Sequence, residues 1–360
     1  MLSLIAVALC ALPPLPAHGE TVMIPAQEWE FAPGPRDVKV YVYYPQGDIK
    51  SVGSQTGLML CLHNWGGTGA IGAPDPVQVA DRYDVVAICV DYLQSGKWDA
   101  SKGIPYDFGY LQALDALRAL NYVFQSLELA KTPFARGRIY ATGGSGGGNV
   151  ALMANKLAPK TFACVVAISG MAKLTDDIAY GLPGGSELNA GYSQDKSSKA
   201  YLALDAQELR DIGNEDHLLE MRVLGNRAKI IAIHGVNDTV CPSEDVVWMA
   251  RNFEQTDLDF DLHLISKQDI ESDIFKDTKH SLGDRTKILF KFGDRYMQPG
   301  SKWMRVREGE TLFENYELPG WPSVKYPTRN GLYTISYGED GMPIGEFISN
   351  TDAPPSSAGK

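Results

Sequence analysis

The residue most suited to chemistry is Ser145, set in Ala141-Thr142-Gly143-Gly144-Ser145-Gly146-Gly147-Gly148-Asn149. A β-branched and aromatic run (Ile139, Tyr140, Ala141) leads into it, and the helix-compatible stretch Asn149 to Leu157 follows at once. This is G-x-S-x-G between a strand and a helix, a turn sharp enough to hold the serine in a strained backbone conformation. Only hydrogen side chains two residues before and two after the serine avoid a clash there. A flexible linker would not be wedged between a buried strand and a helix. A phosphate loop would end in Gly-Lys-Ser/Thr, which is absent. The pattern therefore marks Ser145 as a nucleophile.

A serine hydroxyl is a poor nucleophile until a base takes its proton. Of six histidines, His18 lies in a leader-like segment, His63 precedes glycines after a strand, and His217 falls in a long insert. His234 ends a strand, and His263 alternates with Leu262 and Leu264 as on a strand's polar face. His280, in the loop Thr278-Lys279-His280-Ser281-Leu282 between the last strand and the last helix, can be delivered to the serine. The base in turn needs an acid to fix its tautomer and steady the imidazolium. Asp238 supplies one, just past the strand that ends at His234-Gly235. The competing reading is a turn or cap aspartate ahead of Pro242. Asp176 and Asp177 are weaker candidates, and Glu244 and Asp245 suit the first turn of the next helix.

Acyl transfer puts negative charge on an oxygen, so N–H donors must be aimed at it. One is expected from the amide of Gly146. The other is expected from Leu62-His63-Asn64-Trp65-Gly66-Gly67-Thr68-Gly69, with the Trp65 amide as the choice and Asn64 as the alternative. Trp65, Tyr92 and Trp98 are aromatic candidates for a substrate pocket, with Asn64 beside them.

In three blocks (His63-Asn64-Trp65-Gly66-Gly67, Gly143-Gly144-Ser145-Gly146-Gly147, and His234-Gly235-Val236-Asn237-Asp238 with His280) the chain resembles the α/β-hydrolase superfamily of serine hydrolases, over roughly residues 38–297. The His-Gly-x-x-Asp-x-x-x-Pro block is similar to the dienelactone-hydrolase and prolyl-oligopeptidase branch. The resemblance implies the order Ser145, Asp238, His280, an eight-stranded, mostly parallel sheet with helices on both faces, and a covalent acyl-enzyme with no metal or organic cofactor. The segment at Asn64 departs from the common His-Gly-Gly-Gly.

The elements that must hold these residues are legible in outline. Val38 to Tyr44 alternates as a half-exposed strand. Leu58–Leu62 and Val85–Val90 are continuous apolar runs, as in strands buried on both faces. Leu111, Leu114, Leu117, Leu120 and Val123 recur at helical spacing between Phe108 and Leu127. Further strands are expected at Ile139–Ala141, Phe162–Ile168, Ile230–Ile233 and Phe260–Ile265, and a helix at Thr286–Tyr296. Alternating strands and helices make an α/β fold with a parallel sheet. About sixty residues separate Gly170 from Ile230, more than a plain crossover needs. They are expected to form a cap insertion at about 171–228, with a helical stretch at Ser197–Val223.

The expected divisions are a signal peptide over 1–19, a hydrolase domain over 20–300, a β-rich extension over 301–350 and a disordered tail over 351–360. Met1 to Leu12 is apolar and uncharged, and Ala17-His18-Gly19 would allow cleavage before Glu20, which points to a secreted or periplasmic protein. Four cysteines then remain, Cys61, Cys89, Cys164 and Cys241. A Cys61–Cys89 disulfide is open, and nothing in the spacing suggests a metal site. The net charge of −11 argues against a nucleic-acid partner, and no apolar run in the body is long enough to span a membrane.

The leading expectation is an exported hydrolase of carboxylic esters, acting on acylated carbohydrate or another small ester. The alternative is a serine peptidase of the prolyl-oligopeptidase type. Against it, only about twenty mature residues precede the first strand, short of a large N-terminal domain. A lipase fits less well because the insert is charged, and a fold that has lost its chemistry is a further class.

Overall fold

The apolar runs become strands with two buried faces because helices cover the sheet on both sides. The protein is described by a computed structural model over residues 12–96, 98, 103–309, 323–337 and 341–351. In chain order the body consists of β1 (Thr21–Ala26), β2 (Arg36–Tyr43), β3 (Gly57–Leu62), α1 (Pro76–Tyr83), β4 (Val85–Asp91), α2 (Tyr110–Leu129), β5 (Ile139–Gly144), α3 (Gly146–Leu157) and β6 (Cys164–Ile168). There follow α4 (Asp176–Tyr180), α5 (Leu204–Leu209), α6 (Glu215–Val223), β7 (Lys229–Gly235), α7 (Ser243–Glu254), β8 (Phe260–Ile265) and α8 (Arg285–Met297). The eight strands run in the order β1-β2-β4-β3-β5-β6-β7-β8. β1–β2 and β2–β4 are antiparallel, and every later pairing is parallel.

Alternation along each strand sorts the core into two layers. Leu58, Leu60, Ile88, Ala141, Val165 and Ile230 pack with α2, α3 and α7. Met59, Cys61, Ala87, Cys89, Cys164 and Ile231 pack with α1 and α8. All of Cys61, Cys89, Cys164 and Cys241 are free buried thiols. Cys61 and Cys89 stand side by side in one layer on neighbouring parallel strands, both as free thiols.

Two features depart from the sequence reading. β1 was not anticipated; it is an edge strand with one fully buried residue, Ile24, and a proline inside it, so it carries no apolar alternation to read. The expected helix over Ser197–Val223 is two short helices. Between them Ile212 N–H bonds Ala172 O at 3.0 Å, and Asn214 caps α6 through His217 N–H at 3.1 Å. A Cβ on Gly213 would meet Trp248 at 2.8 Å. Tertiary contact here overrides helical propensity. The small C-terminal β appendage is present as expected: a three-stranded antiparallel sheet, β9 (Val324–Thr328), β10 (Gly331–Tyr337) and β11 (Pro343–Ser349), ordered β11-β10-β9. Asp205 of the insert clamps its hairpin, accepting from Thr328 Oγ1 (2.8 Å), Asn330 N (2.7 Å) and Asn330 Nδ2 (3.0 Å).

Residues 1–11 of the expected leader, and 352–360 of the expected tail, lie outside the described residues. The rest of the leader-like segment is laid on the domain. Leu12 and Leu15 pack against the core. Tyr122 donates to Pro14 O at 2.9 Å and Tyr44 to Pro16 O at 2.8 Å, while Tyr44 N–H donates to His18 Nδ1 at 3.1 Å. No helix among the described residues is long and apolar enough to cross a membrane.

Candidate active site

β5 ends at Gly144 and α3 begins at Gly146, so Ser145 alone makes the turn between them. Its φ of 57° and ψ of −122° are costly for a side chain with a Cβ, on the order of 1–3 kcal/mol. The turn survives because its neighbours lack side chains. A Cβ on Gly143 would sit 2.3 Å from the Gly147 backbone, and one on Gly147 would sit 2.1 Å from Leu62 O. Ser145 N–H is fixed to Ile168 O at 2.8 Å, so the hydroxyl stands at the carboxyl edge of the sheet.

The loop after β8 brings the imidazole. Asn237 N–H bonds Thr278 O at 2.9 Å, and Asn237 Nδ2 bonds Thr278 Oγ1 at 2.8 Å. Gly235 lets that loop close in, since a Cβ there would lie 2.3 Å from Thr278 O. His280 Nε2 is then 2.8 Å from Ser145 Oγ, and His280 Nδ1 is 2.8 Å from Asp238 Oδ2. Ser145, Asp238 and His280 thus form one chain of hydrogen bonds. The Asp238 side chain is fully enclosed and that of His280 is 21% exposed.

Asp238 is the most heavily engaged group of the three. Its Oδ1 accepts from the amides of Val240 (3.0 Å) and Cys241 (2.9 Å). Its Oδ2 also faces His234 Nε2 at 3.3 Å, and His234 Nε2 hydrogen-bonds Cys241 O at 2.7 Å. Burial by itself pushes the Asp238 carboxyl up. Hydrogen bonds from His234, His280 and the Cys241 amide, with the charge on His280, outweigh it and hold the group well below the usual carboxylate range. An acid held ionised this firmly orients the imidazole and stabilises its cation.

The Trp65 and Gly146 backbones approach each other closely, next in the chain to Ser145 on the Gly146 side. A Cβ on Gly146 would lie 2.8 Å from Trp65 N, and among the described residues neither amide has a protein acceptor. Trp65 stacks on Tyr106 with centroids 3.7 Å apart, and Trp98 lies edge-on to both at 5.7 and 5.4 Å. With Phe108, Met171, Ile178 and Cys241 these rings form an apolar cluster. Tyr106 and Phe108 were missed because they stand just ahead of α2 and read as its beginning.

Two pocket candidates do not belong there. Tyr92 is buried, stacked on His63 at 3.9 Å and donating to His63 O; one residue past β4 the chain turns, carrying its ring under the loop. Asn64 is folded into its own turn, with Gly67 N–H on its carbonyl at 2.9 Å. Its Oδ1 is buried without a partner and would lie 2.6 Å from a Cβ on Gly67.

The remaining titratable candidates are occupied elsewhere. His63 bonds Asn64 O (2.7 Å) and Ser95 Oγ (2.6 Å), and His217 bonds Pro327 O (2.8 Å). Asp177 accepts from Ser186 N at 2.5 Å, Asp176 from Gln207 Nε2 at 2.8 Å, and Asp245 pairs with Lys173 at 3.3 Å. The contact of His234 with Asp238 was also missed. Its signal was the four-residue spacing across the end of β7.

Residues 94–342 match the family described as Protein of unknown function (DUF2920), well over half of the chain. The chain belongs to the DUF2920 family. Comparison with curated proteins gives no match. Among solved structures, this DUF2920 chain is similar to the Pyrococcus horikoshii acylaminoacyl peptidase, with TM-score 0.54 and 14% identity over 81% of this chain and 42% of that one. An acylaminoacyl peptidase in complex with Z-Gly-Gly-Phe-chloromethyl ketone gives TM-score 0.53 and 15% identity, covering 81% and 43%. The DUF2920 chain spans less than half the length of either protein. At these identities the likeness is one of fold, and the fold is that of the α/β hydrolases.

Proposed function

We propose that the chain is a serine hydrolase working through an acyl-enzyme on Ser145. The observation that carries this reading is His280, bonded at 2.8 Å to Ser145 on one side and to Asp238 on the other. In this reading His280 takes the Ser145 proton as the hydroxyl attacks a carbonyl carbon. The charge arising on oxygen falls to the Trp65 and Gly146 amides, donors of a kind of which removing one costs about 10²–10³-fold in rate. His280 returns the proton to the leaving group. It then draws one from water, which releases the acyl group.

Ester cleavage was the leading expectation from sequence, with peptide cleavage second. The structural likeness to acylaminoacyl peptidases supports the reverse order, with an amide as the scissile bond. The enclosed aromatic cluster of Trp65, Trp98, Tyr106 and Phe108 favours an apolar or aromatic group beside the scissile carbonyl in either case. Esters of acylated carbohydrate or small alcohols remain the second reading, and export remains part of the proposal. Turnover of a panel of N-acylated and free peptide anilides against aryl and sugar esters tests it. Cleavage of esters alone would remove the amide reading, and a Ser145 that no fluorophosphonate labels would remove the hydrolase.

A further inference from the structure

The Cys241 thiol has no part in the proton relay, yet it lies within it. One ligand atom from each of Asp238, Cys241 and His280 falls within 4.8 Å of the others, and among the described residues no other such group of three forms. The Ser145 hydroxyl is 2.8 Å from His280 Nε2. The donor set is one sulfur, one imidazole nitrogen, one carboxylate oxygen and one hydroxyl. We propose that this cluster is a binding site for a thiophilic divalent cation of the zinc type, with Cys241 and His280 as ligands, and that the bound metal silences Ser145.

The ligand chemistry selects the ion. Sulfur and imidazole favour borderline and soft cations, whereas magnesium and calcium take all-oxygen shells. Around a tetrahedral zinc, with bonds of about 2.0–2.3 Å, neighbouring ligand atoms stand roughly 3.5 Å apart. The ligand atoms of Asp238, Cys241 and His280 already stand within 4.8 Å of one another. The surroundings are already built. Asp238 receives His280 Nδ1 at 2.8 Å, the carboxylate-behind-imidazole arrangement that orients a metal-binding histidine. The same carboxylate holds the Cys241 amide at 2.9 Å, so the segment carrying the sulfur is anchored to the group that orients the imidazole. Ser145 Oγ and water complete the coordination.

Binding involves no redox step. The thiol proton passes to solvent as sulfur joins the metal, and the imidazole lone pair that would accept the Ser145 proton is used for the metal bond instead. The thiolate forms as the metal binds, and one proton is released. Cys61, Cys89 and Cys164 lie in the sheet layers without such partners.

Silencing rests on the hydrolase reading; metal binding does not, and two readouts keep them apart. The first is fluorophosphonate labelling of Ser145 in the full chain, with and without zinc. Zinc, but not magnesium, should block labelling of the wild type. Whatever its own labelling rate without metal, Cys241→Ala should need at least about tenfold more zinc than the wild type to be blocked. The second is cadmium titration of the wild type, where a thiolate-to-metal charge-transfer band should saturate at one equivalent and vanish in His280→Ala. Zinc protection that survives in Cys241→Ala, or a wild type with no cadmium–thiolate band, overturns the site. A band without any labelling keeps the metal site and defeats the hydrolase reading instead.

Discussion

The two edges of the central sheet treat charge in opposite ways. At the amino edge the buried Lys229 and Arg138 are matched by protein. Lys229 pairs with Asp259 and Asp261 at 2.7 Å each, and Arg305 joins Asp259 at 2.5 Å. Arg138 donates to the carbonyls of Gln55 and Tyr83. At the carboxyl edge the serine sits in a strained turn, the amides of Trp65 and Gly146 have no protein acceptor among the described residues, and an imidazole keeps one side exposed. Groups matched within the protein stabilise the fold, while unmatched, pre-aimed groups are available to a reaction. One edge holds the sheet together and the other holds chemistry in readiness.

This contrast can be broken most sharply at Ser145. Ser145→Ala should abolish turnover and fluorophosphonate labelling while leaving the melting temperature at or above wild type, since the strained turn loses only a hydroxyl; surviving turnover would dissolve the contrast. Asp238→Asn should lower kcat by about 10²–10⁴-fold by misorienting His280, read from steady-state rates at fixed pH, and an unchanged rate would place the acid elsewhere. At the other edge Lys229→Met should cost about 1–3 kcal/mol in urea unfolding, yet leave the labelling rate of the folded protein unchanged.

The smallest effect concerns a cation belonging to neither edge. Lys156, wholly buried on α3, donates to Leu209 O (2.8 Å) and Asp211 O (2.6 Å) of the insert, and burial lowers its ammonium from 10.5 to about 7. The unfolded chain therefore binds the proton more tightly, so this group opposes folding at low pH and ceases to do so as pH rises. Between about pH 7 and 10 the wild type should gain on Lys156→Met by up to about 1 kcal/mol per pH unit. Denaturant midpoints at stepped pH check this, and parallel curves would rule it out.

Most of the sheet was legible because a doubly buried strand must be apolar throughout, as at Leu58–Leu62. The elbow was legible because only glycine tolerates the approaches at 143 and 147. The segment holding His280 showed itself by its place between the last strand and last helix. Tyr92, Asn64 and Tyr106 were not legible, because side-chain direction just outside a regular element depends on where the chain turns next. The edge strand β1 and the break between α5 and α6 escaped for a related reason: neighbours distant in sequence decide them. The role of His234 is likewise a matter of contact, since its imidazole reads as a strand residue until Asp238 is seen folded back beneath it.

Asp205 has a consequence reaching beyond its own three bonds. One carboxylate ties the polypeptide inserted after β6 to a hairpin more than a hundred positions further on, so these two late additions move, if they move, as a single flap. Trimming the chain before residue 323 would loosen material that borders the aromatic enclosure, and a cut far from Ser145 in sequence would be felt as altered selectivity.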